Sequence, residues 1–303
     1  MQFITGNKGF VGQNLSNYLK KEKKITIGIS RNPTKDDKSY STLTLEDFNN
    51  AKSFIHLAGK AHDLKNTSED KEYFEVNTEL TKTLFDQFLK SECEVFIYMS
   101  SVKAAADNVE DQLTEEVIPS PITAYGKSKL AAENYILSKE IQEGKRVYIL
   151  RPCMIHGPNN KGNLNLLYSF VSKGIPYPFG KYENKRSFVS VENLCFIINE
   201  LIDNVKISSG IYNIADDTPL STVNLVEIIG EIVGKPAEIL KVSKFLVNIL
   251  AKIGDILPLP INSEKLQKLT ENYTVSNTKI KKAIQKELPL TTQKGLEKTI
   301  ASF

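Results

Sequence analysis

Along the first half of the chain, short apolar runs alternate with stretches whose apolar positions recur every three to four residues. The runs at 1–5, 25–30, 53–58, 95–100 and 146–151 are of strand length, and the one at 53–58 is apolar enough to be covered on both faces. Between them, 9–20, 73–90 (with Leu80, Leu84 and Leu89 on one stripe) and 124–140 have the period of amphipathic helices. Strands that alternate with helices predict a parallel sheet with helices on both faces. Right-handed crossovers then give an α/β, doubly wound order.

After Pro152 the rhythm changes. The composition of 157–162 (Gly-Pro-Asn-Asn-Lys-Gly) is that of a loop. A strand is expected at 210–215, and from Pro219 onward the pattern is helical. We therefore expect a sheet domain at 1–155, to which 184–216 returns, and a smaller C-terminal lobe built from 156–183 and 217–303. The greasiest segment, 245–261, places Leu246, Ile249, Leu250, Ile253 and Ile256 at helical spacing and ends at Pro258 and Pro260. It reads as a helix packed on its own domain, the alternative being a helix that lies on a membrane surface.

With 303 residues, 41% hydrophobic and 25% charged, the composition is that of a folded globular chain and excludes a disordered or collagenous one. The net charge of +3 demands no nucleic-acid partner. No apolar run is long enough to span a bilayer and no secretory leader is recognisable, so no membrane span is expected, although peripheral association stays open. Cys93, Cys153 and Cys195 are widely spaced, which suits a reducing cytoplasm, and no spacing of Cys and His predicts a metal site. His56, His62 and His156 read first as packed or surface residues. His156, near the expected substrate side, is the one catalytic reserve.

The turn between the first strand and the first helix is Thr5-Gly6-Asn7-Lys8-Gly9-Phe10-Val11-Gly12. Gly6 allows a tight turn, Gly9 allows the backbone to approach a pyrophosphate, and Gly12 allows close helix–strand packing. The helix N-terminus supplies unpaired N–H groups to that pyrophosphate. The second strand ends in Ser30-Arg31, without the acid that accepts from a ribose 2′-hydroxyl. A guanidinium there suits a 2′-phosphate, so NADP(H) is favoured and NAD(H) remains possible.

Tyr125 and Lys129 stand at i and i+4 and share one helix face. A nearby ammonium can lower a phenol pKa by about 1–3 units, making a proton donor or acceptor near neutral pH. Ser100-Ser101 closes a strand at the sheet edge where such folds bind ligands. A serine hydroxyl there can orient a carbonyl or alcohol oxygen beside the phenol.

These residues resemble the extended short-chain dehydrogenase/reductases, a Rossmann-like family, in its nucleotide-sugar epimerase and reductase branch. The resemblance covers nearly the whole chain. It rests on the glycine loop, His56-Leu57-Ala58-Gly59, Asn77, Ser100-Ser101, Tyr125 to Lys129, Arg151-Pro152, Gly157-Pro158 and Arg186-Ser187-Phe188-Val189 with Val191 and Asn193-Leu194. It implies that Ser101 positions the sugar oxygen, Tyr125 transfers the proton, and Lys129 holds the nicotinamide ribose and lowers the phenol pKa. It implies further that Leu57, Ala58 and Gly59, with Asn77 and Pro152, line the cofactor, that Arg186 contacts the substrate diphosphate, and that the chain dimerises through helices at 75–90 and 124–140.

Departures narrow the substrate. Ser101-Val102-Lys103 stands where dehydratases of the family carry Thr-Asp-Glu, so elimination of water is not expected. Met154 replaces a sugar-contacting Asn and suits a 6-deoxy sugar, or else simply fills a core gap. Lys161-Gly162-Asn163-Leu164 resembles the loop of enzymes acting on UDP-N-acetylhexosamines, so Gly162 and Asn163 are expected near UDP. Lys265 or Lys268 could stand in for the family's second diphosphate arginine. The first reading is an NADP(H)-dependent reductase of a UDP-linked 2-acetamido-2,6-dideoxy-hexos-4-ulose serving surface polysaccharide synthesis. The alternatives are a UDP-N-acetylhexosamine 4-epimerase with bound NAD and a non-catalytic dinucleotide sensor.

Overall fold

A computed structural model gives the architecture and describes residues 1–60, 69–160, 163–257 and 262–303. In chain order its strands are β1 (Gln2–Thr5), β2 (Thr26–Ser30), β3 (Lys38–Ser39), β4 (Ser53–His56), β5 (Val95–Met99), β6 (Gln112–Leu113), β7 (Arg146–Pro152), β8 (Met154–His156), β9 (Phe188–Ser190), β10 (Gly210–Ile214) and β11 (Thr274–Val275). The helices are α1 (Phe10–Lys21), α2 (Leu45–Asn49), α3 (Asp70–Phe74), α4 (Leu80–Lys90), α5 (Ala124–Leu137), α6 (Asn163–Ser172), α7 (Val191–Asp203), α8 (Thr222–Val233), α9 (Lys244–Gly254), α10 (Ser263–Thr270), α11 (Thr278–Ile284) and α12 (Thr292–Ile300).

Seven strands form one parallel sheet in the order β10-β7-β5-β4-β1-β2-β3. The chain runs outward from β1 to β3 and then returns to β4, so a switch point lies between β1 and β4. Open sheets of this kind bind ligands at the carboxyl ends of the strands beside that point. The doubly wound α/β expectation holds.

The alternation within β5 explains the two layers. Val95, Ile97 and Met99 enter one buried cluster with α1 and α7, whereas Phe96 and Tyr98 enter the other. On that second side the Phe54 ring lies 4.5 Å from Phe48 and 5.8 Å from Phe96. A third cluster, including Leu164, Phe179, Leu225, Ile229, Leu266 and Leu296, sits beyond the sheet. Two short parallel pairs, β8 with β9 and β6 with β11, tie the later part of the chain to the sheet.

Two expectations need correction. The stretch 73–90 is not one regular helix: between α3 and α4 a π-helical turn spans Glu75–Glu79. The helix in 245–261 forms, as α9, but does not pack as expected. Only Val247 and Ala251 are buried, and Leu246, Ile249, Leu250, Ile253 and Ile256 are exposed. Periodicity gives a stripe but cannot say whether anything covers it. Pro258 and Pro260 lie outside the described residues, as does His62. Among the described residues, no helix is long and apolar enough to cross a membrane. The three cysteines are free and buried.

Candidate active site

The glycine loop is a cradle from which side chains are excluded. Gly6 has φ of 68°, and a Cβ on it would lie 2.9 Å from the Ala58 nitrogen. A Cβ on Gly12 would lie 2.3 Å from the Gly6 carbonyl oxygen. Gly9 is the N-cap of α1 and offers no side-chain cap, so the first helical amides are left for an anion. Phe10, Val11 and Leu57 pack their apolar parts against the sheet cluster beneath. Thr5, which sequence reasoning did not single out, holds the two loops together. Its hydroxyl accepts from the Ala58 N–H at 3.0 Å and pairs with His56 Nδ1 at 2.7 Å. His56 Nε2 in turn meets Thr81 Oγ1 at 2.9 Å. Burial, and secondarily the Lys129 charge, lowers the His56 pKa to about 3, so His56 is a neutral packing residue as expected.

At the end of β2, Ser30 Oγ is buried without a hydrogen-bond partner and Arg31 is exposed. Lys8, also overlooked in the sequence, sends its ammonium to the Asn32 carbonyl at the same strand end. Asp37 supplies an acid on the following loop, but its carboxylate accepts from Asn7 Nδ2 at 3.1 Å and from Thr34 Oγ1 at 2.7 Å. The bare glycine cradle, the open amides and the orphaned Ser30 hydroxyl fit a dinucleotide.

Tyr125, Lys129 and Glu133 follow one another at i+4 along α5, and Lys129 and Glu133 are buried. Thr123 caps the helix by accepting from the Gly126 N–H at 3.2 Å. The Tyr125 phenol is hydrogen-bonded by the Ser101 hydroxyl, and its ring meets Tyr73 edge-on with centroids 6.3 Å apart. Ser101 is held by a bond from the Lys103 N–H at 3.2 Å. Lys129 Nζ donates to the Met99 carbonyl at 2.8 Å and lies 4.9 Å above the Tyr98 ring.

This arrangement corrects one expectation. Tyr125 has a raised pKa, with burial the largest cause, Ser101 opposing it and Tyr73 adding to it. The ammonium meant to lower it is committed to the Met99 carbonyl. Burial also lowers the Lys129 pKa to about 8, against the raising influence of Glu133.

Glu133 is a site residue that the sequence concealed, since a glutamate on a helix reads as surface. Its carboxylate receives Arg151 Nε at 3.0 Å and Arg151 Nη2 at 2.5 Å, and it also accepts from the Ser100 hydroxyl. Asn77, within the π turn, is buried; it accepts from the Lys60 N–H at 2.7 Å and donates to the Lys60 carbonyl at 3.1 Å and to Ser128 Oγ at 3.0 Å. It thereby clips the loop at 57–60 onto α5. A Cβ on Gly59 would lie 2.9 Å from both Lys129 Nζ and Asn77 Oδ1, so a side chain there would push these two side-chain ends aside.

The expected sugar-side residues are only partly gathered. Pro152 ends β7, buried and paired with Ile214 of β10. Met154, on β8, packs against the third cluster, in keeping with its gap-filling alternative. Arg186 is partly buried, with Nη2 3.4 Å from Glu271, and its backbone bridges Leu220 and Tyr273. Burial lowers its pKa, and Glu271, Cys153 and Tyr273 oppose that shift. Cys153 directly follows β7, which brings the guanidinium to the carboxyl edge of the sheet.

His156 is fully buried, with Nδ1 2.9 Å from Thr299 Oγ1 and Nε2 3.7 Å from Asp216, so it is a packed residue rather than a catalytic reserve. Gly162 lies outside the described residues, as do the side chains of Asn163 and Lys268. Lys265 is exposed on α10.

Comparison with known proteins agrees with this geometry. The family model described as the NAD dependent epimerase/dehydratase family matches residues 2–215. The chain is 30% identical to a UDP-glucose 4-epimerase of Vibrio cholerae over 99% of this chain and 94% of that one. It is 27% identical to the GDP-6-deoxy-D-mannose reductase of Pseudomonas aeruginosa over 79% of this chain and 82% of that one. The solved UDP-N-acetylglucosamine 4-epimerase of Bacillus cereus shares the fold with a TM-score of 0.76 at 20% identity, covering 99% of this chain and 97% of that one. The protein therefore belongs to the NAD dependent epimerase/dehydratase family, within the extended short-chain dehydrogenase/reductases of nucleotide sugars, and is an NAD(P)-dependent enzyme of that kind.

Proposed function

We propose that the protein is an NADPH-dependent reductase of a UDP-linked 4-keto sugar of the 2-acetamido-2,6-dideoxy type, with residues 156–183 and 217–303 forming the lobe that holds the sugar nucleotide. The observation that carries this reading is the end of β2. A partnerless Ser30 hydroxyl, Arg31 and Lys8 gather there, and the Asp37 carboxylate is engaged by Asn7 and Thr34. Two cations and a hydroxyl suit a 2′-phosphate and outnumber the one nearby acid, Asp37, whose carboxylate stays ionised.

When bound, the nicotinamide supplies hydride exchange with the sugar carbon. The residues of this chain do the rest. Lys129 would hold the ribose, on exchanging its bond to the Met99 carbonyl, with the loop of Gly59 clipped by Asn77 beside it. Ser101 orients the C4 oxygen, and Tyr125 delivers the proton to it. The phenol, its pKa raised by burial, carries the proton that the reduction needs. Arg186, at the carboxyl edge, is placed to meet the diphosphate.

A second reading is a UDP-N-acetylhexosamine 4-epimerase; the 4-epimerase reaction, though not the N-acetylated sugar, is favoured by the UDP-glucose 4-epimerase of Vibrio cholerae. Fluorescence titration with both coenzymes separates the two. The reductase reading expects tighter binding of NADPH than of NADH, a gap that Arg31→Ala narrows by about 1–3 kcal/mol and Ser30→Asp reverses. Preference for NADH, or NAD⁺ that survives purification, would move the assignment to the epimerase.

A further inference from the structure

The exposed face of α9 is the largest unexplained feature outside the active site. Phe245 is 71% exposed, Leu246 53%, Leu250 50% and Ile256 86%, and Ile249 and Ile253 are each 40% exposed. At 100° per residue the side chains from Phe245 to Ile253 fall on one side of the helix, opposite the buried Val247 and Ala251, and Ile256 follows just beyond its end. Lys252, next to Phe245 around the helix, and Asn248 beyond it border that apolar face, and Lys241 precedes the helix; all three are exposed. The one acid, Asp255, is turned away. Its carboxylate accepts from the Ser263 N–H at 2.8 Å and the Ser263 hydroxyl at 2.6 Å, capping the turn toward α10. Lys244 lies on the other side of the helix, its ammonium 5.3 Å from the centroid of the Tyr182 ring that packs on the third cluster.

A continuous apolar face of this size on a folded protein marks a contact surface. Its chemistry favours lipid over protein. Protein interfaces are enriched in aromatic residues, Met and Arg and depleted in Lys, whereas this face carries a single aromatic residue, Phe245, among Leu and Ile, with Lys252 at its rim. Lysine beside an aliphatic stripe is the pattern of an interfacial helix, whose ammonium groups reach up to the headgroups while the stem lies along the tails. The helix has 11 residues, about 16 Å at 1.5 Å per residue. That is far short of a bilayer core, so it must lie in the plane of the surface.

We propose that α9 is a membrane-surface anchor that seats the C-terminal part of the chain on an anionic bilayer, with Phe245, Leu246, Ile249, Leu250 and Ile253 inserted at the headgroup boundary. The proposal does not depend on which sugar the enzyme takes.

The full-length protein is floated through a density gradient with vesicles of phosphatidylglycerol and phosphatidylethanolamine, or of phosphatidylcholine alone. The anionic vesicles should carry the wild type upward and the neutral ones much less. Leu246→Glu with Ile253→Glu should cut binding by at least tenfold, because both groups would have to enter the acyl boundary. Both positions are exposed, so the circular dichroism and melting of this variant should match wild type. Lys252→Ser should weaken binding about fivefold, and high salt should weaken wild-type binding in the same way. Failure of the wild type to float with anionic vesicles would overturn the proposal, as would undiminished binding by the double-glutamate variant. So would light scattering that shows an oligomer of this chain dissociated by those two substitutions, since a second copy would then cover the face.

Discussion

Lys129 should destabilise the cofactor-free fold. Its ammonium is buried, and burial lowers its pKa from 10.5 to about 8. At ~1.4 kcal/mol per unit, keeping it charged at pH 7 costs the fold about 3 kcal/mol. Lys129→Met retains the bulk of the stem and removes the charge. It also leaves the Met99 carbonyl without its 2.8 Å donor, a loss of about 1–2 kcal/mol. The variant should therefore be more stable than wild type at pH 7 by about 1–2 kcal/mol, while losing turnover. The pH dependence is the sharper test. Between about pH 8 and 10.5 the unfolded chain still binds the proton and the folded one does not. Wild type therefore gains stability as pH rises through that window, and Lys129→Met does not. Urea melts of stripped protein at pH 7 and near pH 9.5 should show the advantage of the variant shrinking to nothing or reversing. A variant that is less stable at pH 7, or a difference that ignores pH, would show that the buried ammonium is well solvated by its partners and that the reasoning is wrong.

Tyr125→Phe should leave circular dichroism unchanged and lower steady-state turnover by about 10²–10⁴; near-normal turnover would remove the phenol from the mechanism. Arg186→Ala should weaken UDP binding by about 2–5 kcal/mol in titration calorimetry and leave NADPH affinity unaltered; an unchanged UDP affinity would make Arg186 simply the structural partner of Glu271.

The sheet was legible because its central strands are uninterrupted apolar runs. The runs at 53–58 and 95–100 have strand length and contain β4 and β5, and the helix expected at 124–140 contains α5. The two-residue strands β3, β6 and β11 were not, since pairing with distant chain defines them rather than any local pattern. The π turn around Asn77 was also hidden, because it adds a residue to a turn without breaking the apolar stripe. In the candidate site, Ser101, Tyr125 and Lys129 stood out by residue type and spacing, but their electrostatics did not. The raised Tyr125 pKa depends on burial and on where the Lys129 ammonium points. Glu133 and Arg151 form a buried pair that only the folded packing of α5 on β7 reveals. For α9 the sequence supplied an amphipathic period, and only the structure could show that the greasy side is bare.

The central claim is that the enzyme reduces a UDP-linked 4-keto sugar at the expense of NADPH. The most direct measurement supplies purified protein with NADPH and UDP-2-acetamido-2,6-dideoxy-hexos-4-ulose, follows absorbance, and identifies the product by NMR. The account predicts one NADPH oxidised per keto sugar consumed, with a hydroxyl appearing at C4. Contradiction would be no oxidation of NADPH, together with interconversion of UDP-N-acetylglucosamine and UDP-N-acetylgalactosamine without added coenzyme.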